Sequence, residues 1–353
     1  MKFVRKEIGK MPIEEYAPDE QKGVKSNMAL NINPFGVSKK VLNRLKSIKE
    51  STITHYYSEN RDLLKAIAKY TEVSSQNILL GDGCDGCLEM IAHTFVESND
   101  EVLIPTPTFH RYEFHVNMMG GKVRFSPMLN FELKAEKILA LTNKHQFKIL
   151  FLCNPNNPTG VPINKSELQK IIKCFKGLIV IDEALADGTN VSSISLLKKH
   201  KNLIITRSFS KIMGLAALRI GYIVANKELI QQIRKITSPF KANGLAQELA
   251  LEAVKDVTHV EISVKNIAKQ REYLFNELDK INLEYTDSIT TNFLLDISSL
   301  NKNTEKIISN LKKNGVLVTD TKAFKLSKKS YLRIAVSNKQ ENKFFIKEIK
   351  KIK

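Results

Sequence analysis

The sequence lacks the long apolar stretches that mark membrane-spanning or exported proteins. None of its apolar runs reaches the roughly 18 residues expected of a transmembrane helix. The opening residues, MKFVRKEIGKMPIEEY, also lack the apolar core of a signal peptide. We therefore expect a soluble, cytoplasmic protein that does not bind a membrane.

Cysteine is scarce too, with four residues in a chain of 353. Cys84 and Cys87 form a CxxC pair, but no second cysteine pair and no histidine pair at zinc-finger spacing accompanies it. The sequence thus predicts no metal site. In a reducing cytoplasm these thiols, with those of Cys153 and Cys174, are expected to be mostly free.

Acidic residues are fewer than basic ones: the chain has 37 Asp and Glu but 55 Lys and Arg, which gives a net charge of +18. A basic surplus suits anionic partners such as phosphorylated metabolites, nucleic acid or acidic lipid. The lysines are spread through helical stretches and thicken only in the tail, NKFFIKEIKKIK. We interpret them as solvated helix faces rather than as a nucleic-acid-binding stripe.

No repeat of fixed period and no low-complexity linker divides the chain. Its length exceeds the roughly 250 to 300 residues at which a single core stops growing, so we expect two packed units. Residues 1–35 are polar, poorly periodic and end in NINPFG, and we assign them as an N-terminal arm. Residues 36–240 are then a large domain and residues 241–353 a small α+β domain.

The large domain alternates helical stretches with short apolar runs bounded by turn residues. The runs are NILLGDG, EVLIPTP, KILFLCNP, GLIVIDEA, NLIITRS and LRIGYIVA. Strands that are apolar on both faces predict an α/β fold with a mostly parallel sheet covered by helices. After SPFKANG, a long helical pattern leads to weaker strands around TNFLLDI, GVLVTD and YLRIAV.

Ligands of open α/β sheets bind beyond the carboxyl ends of the strands, and chemically useful residues follow several of these runs. GDGCDG suits a phosphate-binding turn, although an ordinary strand-to-helix turn fits as well. Phe109 can stack on a flat cofactor or pack in the core, and the amide of Asn157 can meet a ligand oxygen. Asp182 ends another run, where a buried carboxylate needs a cation such as a protonated pyridine.

The richest stretch is TRSFSK, which sets Ser208 and Ser210 beside Lys211, with Arg219 eight residues further on. Hydroxyl groups and an arginine can clamp a phosphate. A lysine that is partly desolvated near other cations can lose its proton and attack a carbonyl group. Taken alone, Lys211 is equally interpretable as a surface residue at a helix start.

The motifs NPNNPTG, DEA and SFSK followed by GLAALRIGY, in this order, resemble fold-type-I pyridoxal-phosphate enzymes, most closely the histidinol-phosphate aminotransferase group. The resemblance runs from NINPFG to LRIAVSN. It implies an aspartate aminotransferase-like fold with pyridoxal 5'-phosphate as the cofactor. By this resemblance Lys211 would carry the cofactor as a Schiff base and shuttle a proton, and Asp182 would hold the ring nitrogen protonated.

The resemblance also implies roles for other residues. Asn157 would bind the ring 3'-oxygen and Phe109 would stack on the ring. Tyr56 would reach the cofactor phosphate of a neighbouring subunit, which implies a homodimer with shared sites. Arg333 would grip the substrate carboxylate, and Asn33 is assigned to substrate binding with Asn157. The residues expected around the cofactor phosphate are Gly83, Cys84, Asp85, Ser208, Ser210 and Arg219.

Three positions depart from the family pattern. Leu185 replaces the tyrosine of DEAY, Ile32 replaces an acidic residue of the arm, and Tyr57 replaces a proline after Tyr56. The first hypothesis is an aminotransferase that moves an amino group, from glutamate, to a small phosphorylated carbonyl compound. The alternative is a decarboxylase of an O-phospho amino acid, which NINPFG and Leu185 favour. A non-catalytic binding protein fits less well, because Lys211 and the other motif residues are present.

Overall fold

The computed structural model describes residues 3–13, 23–326 and 330–353, which form two sheets, a strand pair and the helices around them. The strands are β1 (Ser26–Asn27), β2 (Ile78–Gly81), β3 (Glu101–Thr106), β4 (Lys122–Pro127), β5 (Ile149–Cys153), β6 (Leu178–Asp182), β7 (Leu203–Ser208), β8 (Gly221–Ala225), β9 (Asn292–Asp296), β10 (Val316–Leu317), β11 (Thr319–Asp320) and β12 (Tyr331–Ala335).

The α-helices are α1 (Lys39–Lys46), α2 (Glu50–Thr54), α3 (Arg61–Thr71), α4 (Gly83–Phe95), α5 (Arg111–Met118), α6 (Ala135–Thr142), α7 (Lys165–Cys174), α8 (Lys227–Arg234), α9 (Gly244–Lys255), α10 (Val257–Asp279), α11 (Thr304–Lys313) and α12 (Lys339–Ile352). Short 3₁₀ helices span Ile8–Lys10, Ser75–Asn77, Ile194–Lys198, Ala216–Leu218, Ser298–Leu300 and Lys322–Phe324. None of the helices in the described part of the chain is both long and apolar enough to cross a membrane.

The central sheet has seven strands in the order β2-β8-β7-β6-β5-β3-β4. The strands from β7 to β4 pair in parallel, and only β8 runs against its two neighbours. The six apolar runs of the sequence form β2, β3, β5, β6, β7 and β8, which confirms the prediction of a mostly parallel sheet. The carboxyl ends of β3, β5, β6 and β7 therefore meet at one edge.

The seventh strand, β4, was not predicted. Its residues, KVRFSP, alternate exposed and partly buried positions rather than forming an apolar run. It lies at the edge of the sheet and pairs only with β3. An edge strand needs burial on fewer sides, so it carries a weaker hydrophobic signal.

The three weak strands predicted in the C-terminal third are present. The antiparallel order is β11-β12-β9, while the first half of GVLVTD forms β10 and pairs in parallel with β1 of the arm. The arm is thus attached to the C-terminal part of the chain. We keep residues 241–353, joined by the arm, as a proposed small domain.

The long helical pattern after SPFKANG is two helices, α9 and α10, separated at Asp256. The backbone of Asp256 leaves the helical region, with φ −95° and ψ 65°. Its carboxylate accepts a hydrogen bond of 2.5 Å from Ser38 Oγ and lies 3.3 Å from Lys40 Nζ. These contacts hold the start of α1 against the junction of the two helices.

The lysine-rich tail forms α12, and its apolar residues face inward. Phe345, Ile346, Ile349 and Ile352 are buried, whereas Lys343, Lys347, Lys350 and Lys351 are exposed. The alternation of apolar residues and lysines is thus the pattern of an amphipathic helix that packs its apolar face on the core. The sequence analysis interpreted these lysines as a solvated helix face.

A relay of two asparagine amides joins the arm to both sheets. Asn292 of β9 donates through Nδ2 to the carbonyl of Pro158, 2.7 Å away, and Asn31 donates through Nδ2 to Asn292 Oδ1, also at 2.7 Å. A carbonyl oxygen only accepts, so the Pro158 contact fixes the orientation of both amides. The carboxamide of Asn292, whose residue is fully buried, is therefore a joint between three segments.

We predict that Asn292→Ala lowers the free energy of unfolding by about 2 to 4 kcal/mol, because it leaves two buried hydrogen-bonding groups without partners. Equilibrium denaturation in urea measures this change. Asn143→Ala, at an exposed position of the helix α6 end, is the control and should stay within about 0.5 kcal/mol of the natural protein. Equal stability of the two variants would contradict the role of Asn292 as a joint between the three segments.

Candidate active site

A cavity of about 1270 Å³ lies at the carboxyl edge of the central sheet. Its walls come from the arm, from the loops after β3, β5, β6 and β7, and from the C-terminal part of the chain. Lys211 and Asp182 line the same cavity, as the cofactor site inferred from the sequence requires. The other predicted residues that line it are Cys84, Asp85, Phe109, Asn157, Ser208, Ser210, Arg219 and Arg333.

Asp182 is the last residue of β6 and is 3% exposed. Its Oδ1 accepts hydrogen bonds from the backbone N–H of Ala184 (2.9 Å) and from the thiol of Cys84 (3.3 Å). Its Oδ2 accepts one from the hydroxyl of Tyr112 (2.8 Å). Among residues 3–13, 23–326 and 330–353, no cationic side chain forms an ion pair with it.

Burial raises the pKa of Asp182, and the hydrogen bonds from Ala184, Tyr112 and Cys84 oppose that rise. A carboxylate surrounded by donors but lacking a protein cation is suited to a cationic ligand group. A protonated pyridine nitrogen is such a group.

Lys211 follows β7 and faces the same cavity. Burial, reinforced by the positive charges of Arg333 and Arg219, lowers the pKa of Lys211 to about 8. The unprotonated amine is therefore far more populated near neutral pH than in an ordinary lysine, and it is the form that attacks a carbonyl carbon.

A phosphate-sized recess is formed where α4 begins. Gly83 has a φ of +72°, and a Cβ atom at this position would lie 2.6 Å from Arg219 Nη2. Only glycine allows the guanidinium group to approach this turn so closely. Arg219 Nη1 lies 3.4 Å from Ser210 Oγ, so the hydroxyl, the guanidinium and the helix N-terminus converge on one place.

Asp85, in the first turn of α4, lines the cavity as an acidic residue beside this recess. Its carboxylate is held on the far side by Arg111 at 2.9 Å and by His115 Nε2 at 2.9 Å. Burial would raise the pKa of Asp85, but the hydrogen bonds from His115 and Arg111 outweigh it and hold the pKa well below its usual range. The acidic side chain is thus neutralised and turned away from an incoming anion.

Arg333 of β12 lines the cavity from the C-terminal part of the chain. Its Nη2 donates to the carbonyl of Ala29 (2.5 Å) and to Thr319 Oγ1 (3.0 Å), and its Nη1 lies 3.4 Å from Asn157 Oδ1. These contacts fix the plane of a guanidinium group that lines the cavity. A planar, fixed guanidinium suits a carboxylate ligand.

Two predicted residues lie elsewhere. Asn33 does not line the cavity, because its Nδ2 donates to the carbonyl of Ile212 (2.7 Å) and to Ser263 Oγ (2.9 Å). These contacts hold the arm against Ile212 and Ser263, and the assignment of Asn33 to substrate binding stays a prediction. Tyr56 is 88% exposed and also lies outside the cavity of its own chain.

Sequence reasoning missed two residues of the site. Asn31 lines the cavity, and its Oδ1 is buried with no hydrogen-bond partner in the described structure, so it can accept a bond from a ligand. The doubled asparagines of NINP were the available signal, but they did not reveal which one faces inward. Tyr112 touches Asp182, and no local pattern of the sequence signals this contact between residues that are 70 positions apart.

These residues fit the pyridoxal phosphate expected from the sequence. The donor-rich but unpaired carboxylate of Asp182 suits the ring nitrogen, and the recess at Gly83 and Arg219 suits the phosphate. Lys211 supplies an amine of lowered pKa in the same cavity. The aromatic ring of Phe109 lines the wall beside them.

Comparison with known proteins supports the same reading. A family model described as aminotransferase class I and II matches residues 24–349. A histidinol-phosphate aminotransferase of Methanosphaera stadtmanae is 33% identical over 344 residues, covering 96% of this chain and 93% of the relative.

Solved structures show the same fold over nearly the whole chain. A histidinol-phosphate aminotransferase from Sinorhizobium meliloti, in complex with pyridoxal 5'-phosphate, has a TM-score of 0.90 at 22% identity and covers 100% of this chain and 98% of its own. An aspartate aminotransferase from Thermus thermophilus has a TM-score of 0.87 at 19% identity, with 100% of both chains covered. The L-threonine-O-3-phosphate decarboxylase from Porphyromonas gingivalis has a TM-score of 0.80 at 26% identity, covering 92% and 98%. The predicted aspartate aminotransferase-like fold is confirmed.

We predict that Arg333→Met raises the pKa of Lys211, because it removes a neighbouring positive charge. The rate at which dinitrofluorobenzene labels Lys211 in cofactor-free protein, followed by peptide mass spectrometry, should be half-maximal at a pH of about 8 in the natural protein. In the variant this midpoint should move to higher pH. Arg124→Met, on the exposed edge strand β4, is the control. If Arg333→Met has the same midpoint as this control, the charge of Arg333 does not lower the pKa of Lys211.

Proposed function

We propose, on the premise that this chain belongs to the aminotransferase class I and II family, that it moves an amino group from glutamate to a small phosphorylated carbonyl compound. The chain is a pyridoxal-phosphate-dependent aminotransferase related to histidinol-phosphate aminotransferases. The observation that carries the proposal is the shared cavity of Lys211 and Asp182, an amine of lowered pKa and a buried carboxylate without a protein cation.

Bound pyridoxal phosphate supplies a carbonyl group that condenses with amines and a protonated ring that withdraws electrons from the substrate carbon. Lys211 holds the cofactor through its Nζ and, once released, carries a proton to and from the substrate α-carbon. Asp182 keeps a positive charge at the ring nitrogen. Ser208, Ser210 and Arg219, with the backbone of the first turn of α4, bind the phosphate.

The substrate occupies the outer part of the cavity. Arg333 binds the carboxylate of the amino acid, and Asn31 accepts a hydrogen bond from a donor group of the substrate. The relatives named for histidinol phosphate support a phosphorylated substrate of that class. The apolar side chains of Ile32 and Leu185 line the cavity where the family has polar residues, which favours a less polar body between the amino and phosphate ends.

A decarboxylase of an O-phospho amino acid is the second candidate. It is supported by the likeness to the L-threonine-O-3-phosphate decarboxylase of Porphyromonas gingivalis, at 26% identity, and by Leu185 in place of the family tyrosine. Both reactions begin from the same cofactor site. The residues that act when the substrate α-carbon loses its proton or its carboxylate therefore decide between them.

A homodimer with shared sites belongs to the proposal. Tyr56 stacks on Phe240 with ring centroids 4.9 Å apart, and both are exposed. Ile53 and Ile236 are further large apolar residues that remain exposed, at 72% and 44%. Apolar side chains left on the surface support burial against a second copy. In such a dimer the hydroxyl of Tyr56 reaches the cofactor phosphate of the neighbouring subunit.

We predict that glutamate converts the cofactor of the purified holoenzyme to its amine form, measured by absorbance, with release of the keto acid. Histidinol phosphate, which is also an amine, should do the same with release of its ketone, in the reverse of the half-reaction that aminates the carbonyl acceptor. Lys211→Ala should lose both conversions. Release of carbon dioxide from phosphoserine or phosphothreonine, with no keto acid from glutamate, would instead establish the decarboxylase.

Subunit mixing tests the shared site. Tyr56→Ala and Lys211→Ala are each expected to be nearly inactive, but a mixed dimer contains one complete site, so an equal mixture should recover roughly a quarter of the natural activity. Mixing Lys211→Ala with Arg219→Ala is the control, because both residues belong to the same subunit's site and no complete site forms. Equal recovery in both mixtures, or none in the first, would contradict a site completed by Tyr56.

A further inference from the structure

Tyr112, in the first turn of α5, is a buried tyrosine with 0% exposure. A buried hydroxyl is unfavourable unless it forms a hydrogen bond. The hydroxyl of Tyr112 donates to Asp182 Oδ2 at 2.8 Å, a contact between two side chains that are 70 residues apart in sequence.

The ring of Tyr112 contacts a second residue of the cofactor wall. Phe109 meets it edge to face, with centroids 5.7 Å apart and an interplanar angle of 82°. On the other side, Phe151 of β5 stacks on it at 5.2 Å and 7°. The tyrosine is therefore held against the sheet and in turn supports Phe109.

One carboxylate oxygen of Asp182, Oδ2, accepts a hydrogen bond from Tyr112. Oδ1 accepts from Ala184 and Cys84, Oδ2 accepts the 2.8 Å bond from Tyr112, and the hydroxyl of Thr206 is a further donor to the carboxylate. Losing the Tyr112 bond would weaken the hold on the plane of the carboxylate.

We propose that Tyr112 is a positioning residue of the cofactor site, whose hydroxyl orients Asp182 toward the ring nitrogen and whose ring supports Phe109 against the ring face. The inference rests on the proposed cofactor site, but not on the identity of the amino acceptor. Tyr112 itself does not line the cavity, so it acts through the two residues that do.

The hydroxyl also affects the ionisation of Asp182. The titratable groups that interact with this carboxylate are Cys84 and Cys87 from α4, Tyr112 from α5, Cys153 from β5 and Lys211 after β7. Burial raises the pKa of Asp182, and the Tyr112 bond lowers it. Without that bond the carboxylate is protonated at higher pH, and a neutral carboxyl group no longer holds a positive ring nitrogen.

The test compares Tyr112→Phe with Tyr222→Phe in the holoenzyme. Tyr222 is an equally buried tyrosine, at 1% exposure in β8, that does not contact Asp182. In Tyr112→Phe the half-reaction with glutamate should slow about 10- to 100-fold, as expected for the loss of one hydrogen bond to a charged group. The acidic limb of its pH profile should move to higher pH, and Tyr222→Phe should change neither.

Cofactor affinity gives a second measurement that does not depend on the substrate. Titration of cofactor-free protein should show a dissociation constant about 10-fold higher for Tyr112→Phe, and higher again for Tyr112→Leu, which also removes the support of Phe109. In an Asp182→Ala background, Tyr112→Phe should alter this constant less than about twofold, because the hydroxyl has lost its partner.

The inference is overturned if Tyr112→Phe matches Tyr222→Phe in cofactor affinity and pH profile, or if its effect persists without Asp182. Failure of the proposed function looks different. In that case glutamate gives no reaction even in the natural protein, while the affinity difference between Tyr112→Phe and Tyr222→Phe remains.

Discussion

The rest of the site depends on the burial of one carboxylate. Asp182 ends a central strand at 3% exposure, and its hydrogen-bond donors converge from the start of α4, from α5 and from the loop that follows β6. These donors favour the charged form without neutralising it, so the free energy of burying the charge is only partly offset by the protein. A cation held opposite Asp182 completes the offset, and the cavity with Lys211 is built around that position.

The next residue in the chain, directly after β6, shows what full compensation of a buried charge looks like. Glu183 faces the opposite side of the sheet, has 0% exposure and pairs with Arg207 at 2.8 Å, and Arg207 also binds Asp187 at 2.9 Å. Arg207 in turn precedes Ser208, so strand alternation sends a structural charge to one face and a ligand-binding group to the other on both β6 and β7. The contrast between a paired Glu183 and an unpaired Asp182 separates a structural role from a functional one.

The sequence predicted the parts of this arrangement that depend on local patterns. Apolar runs identified six of the seven strands of the central sheet, and motifs beside these runs placed Lys211, Asp182 and Arg219 at one edge. They did not reveal β4, because its residues alternate exposed and partly buried positions. The sequence also did not distinguish Asn31 from Asn33, since the directions of these two amides are set by contacts with Asn292 and Ser263, respectively, which are far away in the chain. The contact of Tyr112 with Asp182 was hidden for the same reason.

The cations of the cavity link ligand binding to the chemistry of Lys211. Arg333 and Arg219 line the cavity, and their positive charges lower the pKa of Lys211. Under the proposed roles, a phosphate at Arg219 and a carboxylate at Arg333 would offset those charges, so each bound anion would raise the affinity of the amine for a proton. The phosphate would arrive with the cofactor and the carboxylate only with the substrate. Substrate binding at Arg333 would therefore make Lys211 a better proton acceptor at the stage where a proton has to be moved.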